Sequence, residues 1–157
     1  MTPRESAARA MAFFDGSDDV ILLHQLGVEI APRVRRLVTQ ALAKGPEETI
    51  PPPAELRPAR DAATQQEAIA TLKQTNDFGL LQVLARSIGR RIEAIEIASS
   101  AEFPEGARVS VPEHPSFPPK GQQRSGTVEL TGTQLRVALD NGETWEGPPS
   151  LARLAPR

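Results

Sequence analysis

No cysteine occurs anywhere in the chain, which excludes disulfides, zinc–thiolate sites, iron–sulfur clusters and thiol catalysis. Tyrosine is absent too, and the aromatic set is five Phe and one Trp, which leaves little surface for stacking sugars. Histidine appears only twice, at His24 and His114. No apolar run reaches the roughly 18 residues a membrane-spanning helix needs. The opening MTPRESAARAMAFF has no long apolar core and does not read as a signal peptide. A cytoplasmic chain is the expectation. Phosphate-cradling glycine motifs are missing as well: neither GxxxxGK[ST] nor GxGxxG is present, so NTPase and dinucleotide readings fail.

An excess of either charge is also lacking, since the formal net charge is −2. Residues 1–101 carry 12 basic and 13 acidic side chains, and residues 102–157 carry six and seven. Neither part is basic overall, which argues against strong non-specific nucleic-acid binding. Within the basic set, 15 are Arg and three are Lys, a bias that GC-rich coding explains as well as bidentate chemistry does.

What is present is 157 residues, enough for one compact domain or two small ones, with 15 prolines, about twice the usual ~5%. Composition changes near residue 102. The expected fold class is α+β in separate halves: a helical domain over 1–101 with a Pro-rich linker at 46–58, then a β domain over 102–157.

In the helical part, Pro3 to Phe14 predicts a first helix, stopped by Asp15-Gly16. Ser17, with Asp18 and Asp19, suits the start of a second helix over about 18–26, ending near Gly27. Pro32 then opens a third, in which Val34, Leu37, Val38, Ala41 and Leu42 form an apolar stripe. Gly45 and Pro46 end it. Helix returns over about 59–74, and after a cap at Asn76-Asp77 a longer one runs to about Ser99, with a seam of Leu81, Leu84, Ile88, Ile92 and Ile95.

In the β part, ARVSV, SGTVELT, QLRVALD, ETWEG and LARLAP read as five strands. Their inner set is Val109, Val111, Val128, Leu130, Leu135, Val137 and Leu139. PEHPSFPPKGQQR reads as a Pro-rich loop, Asp140-Asn141-Gly142 as a tight hairpin, and PPS as one 3₁₀ turn. GARVSV, the GTVELTG hairpin, VALDNGETW and the closing SLARLAP together resemble the SH3-like small β-barrel superfamily of SH3, KOW and Tudor-type modules. The resemblance is one of pattern and covers about 55 residues. It implies a five-stranded barrel that binds peptides, protein surfaces or nucleic acid and is seldom catalytic by itself.

The chemistry-bearing residues divide into competing readings. Asp15, Ser17 and Asp19 match three positions of a calcium loop, but Val20 and Leu26 stand where glycine and glutamate are needed, so helix capping is preferred. His24 sits among apolar residues and His114 in the Pro-rich loop, neither with a second ligand at useful spacing. No metal, cofactor or catalytic residue is expected. PSFPPK fits the polyproline pattern PxxPx[KR], a short and common match. Arg33, Arg36 and Lys44, with Gln40 between and Arg35 beside them, form a basic helix stripe, and Arg86, Arg90 and Arg91 a second cluster. Phe117, Arg136 and Trp145 make a candidate protein-recognition patch, although Trp145 is equally well placed as barrel core.

Two functions compete. One is a non-catalytic adaptor or accessory subunit, its helices docking or oligomerising and its barrel contacting a partner protein through Phe117, Arg136 and Trp145. The alternative is a nucleic-acid-associated protein that holds phosphates with Arg33, Arg36, Lys44 and Arg124.

Overall fold

The computed structural model describes residues 1–43 and 55–155. They run as α1 (Pro3–Gly16), α2 (Val20–Ala43), α3 (Gln65–Gln74), α4 (Phe78–Ser100), β1 (Arg108–His114), β2 (Lys120–Leu130), β3 (Leu135–Leu139), β4 (Thr144–Gly147), a 3₁₀ turn (Pro149–Leu151) and β5 (Arg153–Leu154). The chain divides into two compact units, Met1–Arg91 and Ile92–Arg157. The division falls inside α4, ahead of the composition change at 102. The last turns of α4 go with the sheet, where Glu96 is buried and accepts the backbone N–H (2.9 Å) and hydroxyl (2.5 Å) of Ser150.

In the first unit, Thr2 closes a capping box. Its hydroxyl accepts the Glu5 N–H while the Glu5 carboxylate accepts the Thr2 N–H. Ala7, Ala10, Met11 and Phe14 then fall on one buried face of α1. Asp19, rather than Ser17, caps α2 by accepting the Leu22 N–H at 3.0 Å, and Ser17 accepts the Asp19 N–H at 3.2 Å. Asp77 caps α4 in the same way through Leu80.

Two expected helices are one. α2 passes Gly27 and carries Pro32 in its interior. An interior proline costs about 3 kcal/mol, because it forgoes one backbone bond and crowds the preceding turn. Pro32 is exposed and Val28, whose carbonyl loses its partner, is 74% exposed, so water can satisfy that oxygen. Arg33, just past the proline, donates to the Leu72 and Thr75 carbonyls and ties the continuing helix to α3. The helix expected over 59–74 is shorter, beginning at Gln65 behind the Thr64 cap. The linker prolines at 46 and 51–53 and Gly45 lie outside the described residues.

The second unit is a five-stranded antiparallel sheet in the order β4-β3-β2-β1-β5. Its strands and 3₁₀ turn follow the expected sequence of elements. β4 and β5 are its edges and do not pair, so the sheet is not closed. The core holds Phe103, Val109, Val111, Val128, Leu135, Val137, Leu139, Trp145 and Ala152. Leu130, expected inside, is 49% exposed. The β2–β3 register slips between Val128↔Val137 and Leu130↔Arg136, and that bulge turns the end of β2 out of the core. The Pro-rich loop is shorter than its composition suggests. Pro112 pairs with Gln123 and His114 with Lys120, so only residues 115–119 lie between β1 and β2. The Asp140-Asn141-Gly142 hairpin forms as expected, with Gly142 at φ 90° and Glu143 N–H donating to the Asn141 side chain at 2.9 Å.

Candidate functional site

Trp145 lies opposite Val137 in the β3–β4 ladder and is 3% exposed. Its indole N–H donates to the Pro112 carbonyl at 2.8 Å. Arg136 lies opposite Glu146, one step along the same ladder, and the two form an exposed ion pair at 2.9 Å. Successive residues of a strand point to opposite faces, so Trp145 and Arg136 sit on different sides of the sheet. Trp145 is core, and it leaves the expected recognition patch for that reason. Phe117 is half-buried in the 115–119 segment. Leu130 and Glu146, the partners of Arg136 across the two ladders, share its exposed face. Sequence reasoning assigned Leu130 inward because strict alternation counts through a bulge it cannot see.

The basic stripe of α2 is also redistributed. Arg33 is half-buried, and its guanidinium donates to the Leu72 carbonyl at 2.8 Å and the Thr75 carbonyl at 2.6 Å. Those are orphan acceptors at the end of α3. Arg33 therefore anchors α2 to α3 and its guanidinium is committed. Arg36 is exposed and makes no ion pair among the described residues. Lys44 lies outside the described residues. Arg124 faces the Glu113 carboxylate at 3.5 Å. The Gln122 backbone N–H, and then the Arg124 charge, hold the Glu113 carboxyl below its ordinary range.

In the second basic cluster, Arg91 turns away to the Ser17 carbonyl (2.7 Å) and Asp18 (2.6 Å). Arg90 stands 4.0 Å from Asp15, and Arg86 is exposed with no ion pair among the described residues. Asp15 also accepts the buried Ser87 hydroxyl at 2.5 Å, a pairing that joins α1 to α4.

Leu42, expected in the apolar stripe of a third helix, is exposed instead, and it falls in line with Ile21 and Val28, which sequence reading passed over. Ile21, Val28 and Leu42 are 38%, 74% and 64% exposed. Their spacing of seven and fourteen residues puts them on one face of α2, opposite the buried Leu23, Leu26 and Ile30. The signal was available in the heptad spacing, but breaking the helix at Gly27 hid it. Among the described residues, no group of three His, Asp or Glu is placed to hold a metal ion, and no helix is long and apolar enough to cross a membrane. Neither a protein-family model, nor a curated protein, nor a solved structure matches this chain.

Proposed function

We propose that the chain is a cytoplasmic, non-catalytic adaptor or accessory subunit that docks through α2 and presents its sheet unit to a partner protein. The exposed line of Ile21, Val28 and Leu42 carries this reading. Single exposed apolar residues are ordinary, but Ile21 and Val28 stand one heptad apart on one helix face, with Leu42 on the same face beyond the exposed Arg35, and apolar side chains so aligned gain by being covered. In the second unit we take the sheet to be an SH3-like barrel that is open between β4 and β5. The order β4-β3-β2-β1-β5, with the chain returning through a 3₁₀ turn to lay β5 beside β1, supports that assignment. Its partner surface is then the outer face bearing Leu130 and Arg136, with Phe117 in the neighbouring loop of β1 and β2. The nucleic-acid reading is weakened by the commitment of Arg33 to α3 and is not preferred.

The test is site-specific photo-cross-linking. A photoreactive residue is placed at Val28 on α2 and, as a control, at exposed Gln66 on α3. An adduct at Val28 and not at Gln66, whether with a second copy or with a protein of the native host, supports docking through this face. Equal labelling at both positions, or none at either, overturns it.

A further inference from the structure

The first unit holds a cleft of about 730 Å³ lined by four arginines. Arg4 comes from α1, Arg86 and Arg90 from α4, and Arg57 from the segment that precedes α3. The spacing explains the convergence. Arg4 and Met11 are seven residues apart on α1, and Val83, Arg86 and Arg90 follow i, i+3, i+7 on α4, so each helix turns one face to the cleft. Arg4 donates to the Glu55 carbonyl and so ties the third segment to α1. Met11 and Val83 are buried and Leu56 is half-buried, which gives the cleft an apolar floor.

Among the described residues, carboxylates match only part of the charge in this cleft. One carboxylate, that of Glu55, lines it beside the four arginines. Arg90 reaches Asp15 only at 4.0 Å, and Arg57 and Arg86 make no ion pair among the described residues. Like charges gathered in a concavity repel one another and raise the local potential for anions. Planar guanidinium forks suit oxyanions bidentately. A lone carboxylate engages one fork. Two adjacent phosphoryl groups have the charge and the oxygens to engage forks from three separate segments. The volume falls within the roughly 300–1,000 Å³ typical of small-molecule sites.

We propose that this cleft binds a small organic phosphate, its phosphoryl groups on Arg57, Arg86, Arg90 and Arg4 and its organic part over Met11, Leu56 and Val83. The site belongs to the first unit alone and does not rest on docking through α2.

Isothermal titration calorimetry on the full chain tests it, with ADP, inorganic pyrophosphate and citrate as probes. Saturable ADP binding is expected, tighter than pyrophosphate, and weakened by added salt. Loss of two bidentate partners in Arg57→Gln/Arg86→Gln should weaken ADP by at least about tenfold, while Arg153→Ala leaves it unchanged. Amide chemical-shift changes on the unmodified protein should cluster at residues 4–11, 55–57 and 83–90, a readout that survives if the double variant misfolds. Absence of saturable ADP binding, equal ADP affinity in a folded double variant, or shifts elsewhere in the chain overturns the site. Citrate or pyrophosphate binding as tightly as ADP overturns the organic-phosphate assignment.

Discussion

The indole N–H of Trp145 on β4 donates to the carbonyl of Pro112 on β1 across 2.8 Å of buried space. β4 and β1 are not neighbours in the ladder, since β3 and β2 lie between them. The bond therefore joins strands that backbone pairing does not. Trp145→Phe keeps an aromatic ring but strands the Pro112 acceptor, and it should cost about 1–3 kcal/mol. Trp145→Ala also opens a cavity and should cost about 3–5 kcal/mol. Urea unfolding followed by circular dichroism measures both, because the only tryptophan is lost in each variant. A Trp145→Phe protein as stable as the parent would remove the hydrogen bond from this account.

The same ring constrains a glycine. A Cβ at Gly147 would lie 2.7 Å from the Trp145 ring and 2.8 Å from Pro115, and one at Gly126 would lie 2.5 Å from the Ala138 carbonyl oxygen. Gly147→Ala and Gly126→Ala should both destabilise the sheet unit by about 1–3 kcal/mol, as overpacking generally does. Gly89 is the contrast. It is exposed on α4 with nothing within 4 Å of the added carbon. Gly89→Ala should stabilise by about 0.5–1 kcal/mol through helix propensity alone. The three midpoints in one denaturant series separate steric from conformational effects.

The sheet was legible in the sequence because alternation, the Asp140-Asn141-Gly142 turn and the closing 3₁₀ turn are local signals. The inward side of Leu130 was not, because a bulge depends on the facing strand. The helices show the same limit. Pro32 reads as a start when only local backbone preference is considered, yet α2 runs through it, and Arg33 just beyond is held by the Leu72 and Thr75 carbonyls. Site residues were hardest to read. Whether Arg33 faces solvent or the end of α3 is decided by a contact 39 residues away. Helical spacing puts Arg86 and Arg90 on one face of α4, but their meeting with Arg4 and Arg57 depends on how three separate segments pack.

Arg33 offers a direct separation of the two functional readings. Its two bonds to the α3 carbonyls are charge-assisted and part-buried, so Arg33→Ala should cost about 1.5–3 kcal/mol. Arg36→Ala, on the exposed side of the same helix, should change stability by less than about 0.5 kcal/mol. If the stripe served phosphates instead, the exposed Arg36 would matter more for nucleic-acid affinity than for stability. Thermal unfolding of both variants, with fluorescence anisotropy against labelled duplex DNA over a salt series, distinguishes the cases. A stable Arg33→Ala protein with reduced DNA affinity and a flatter salt slope would restore the phosphate reading.

Acid should loosen the sheet unit through Asp140. Arg108 on β1 reaches this carboxylate with both guanidinium nitrogens, at 2.8 and 2.7 Å, and those hydrogen bonds hold the Asp140 carboxyl below its ordinary value of 3.8. Glu113 is likewise held below 4.5. A carboxyl whose folded value is depressed binds its proton more readily in the unfolded chain. Its contribution is complete above the unfolded value and is lost as pH falls through the folded one. Stability should therefore be flat from neutrality down to the ordinary carboxylate range and should decline below it. Both groups are exposed, so salt should shrink the effect. Asp140→Asn should lower stability near neutral pH and make the acid limb shallower, as read from urea midpoints across a pH series. An unchanged acid limb in that variant would assign the pH dependence to other carboxylates, Glu113 first among them.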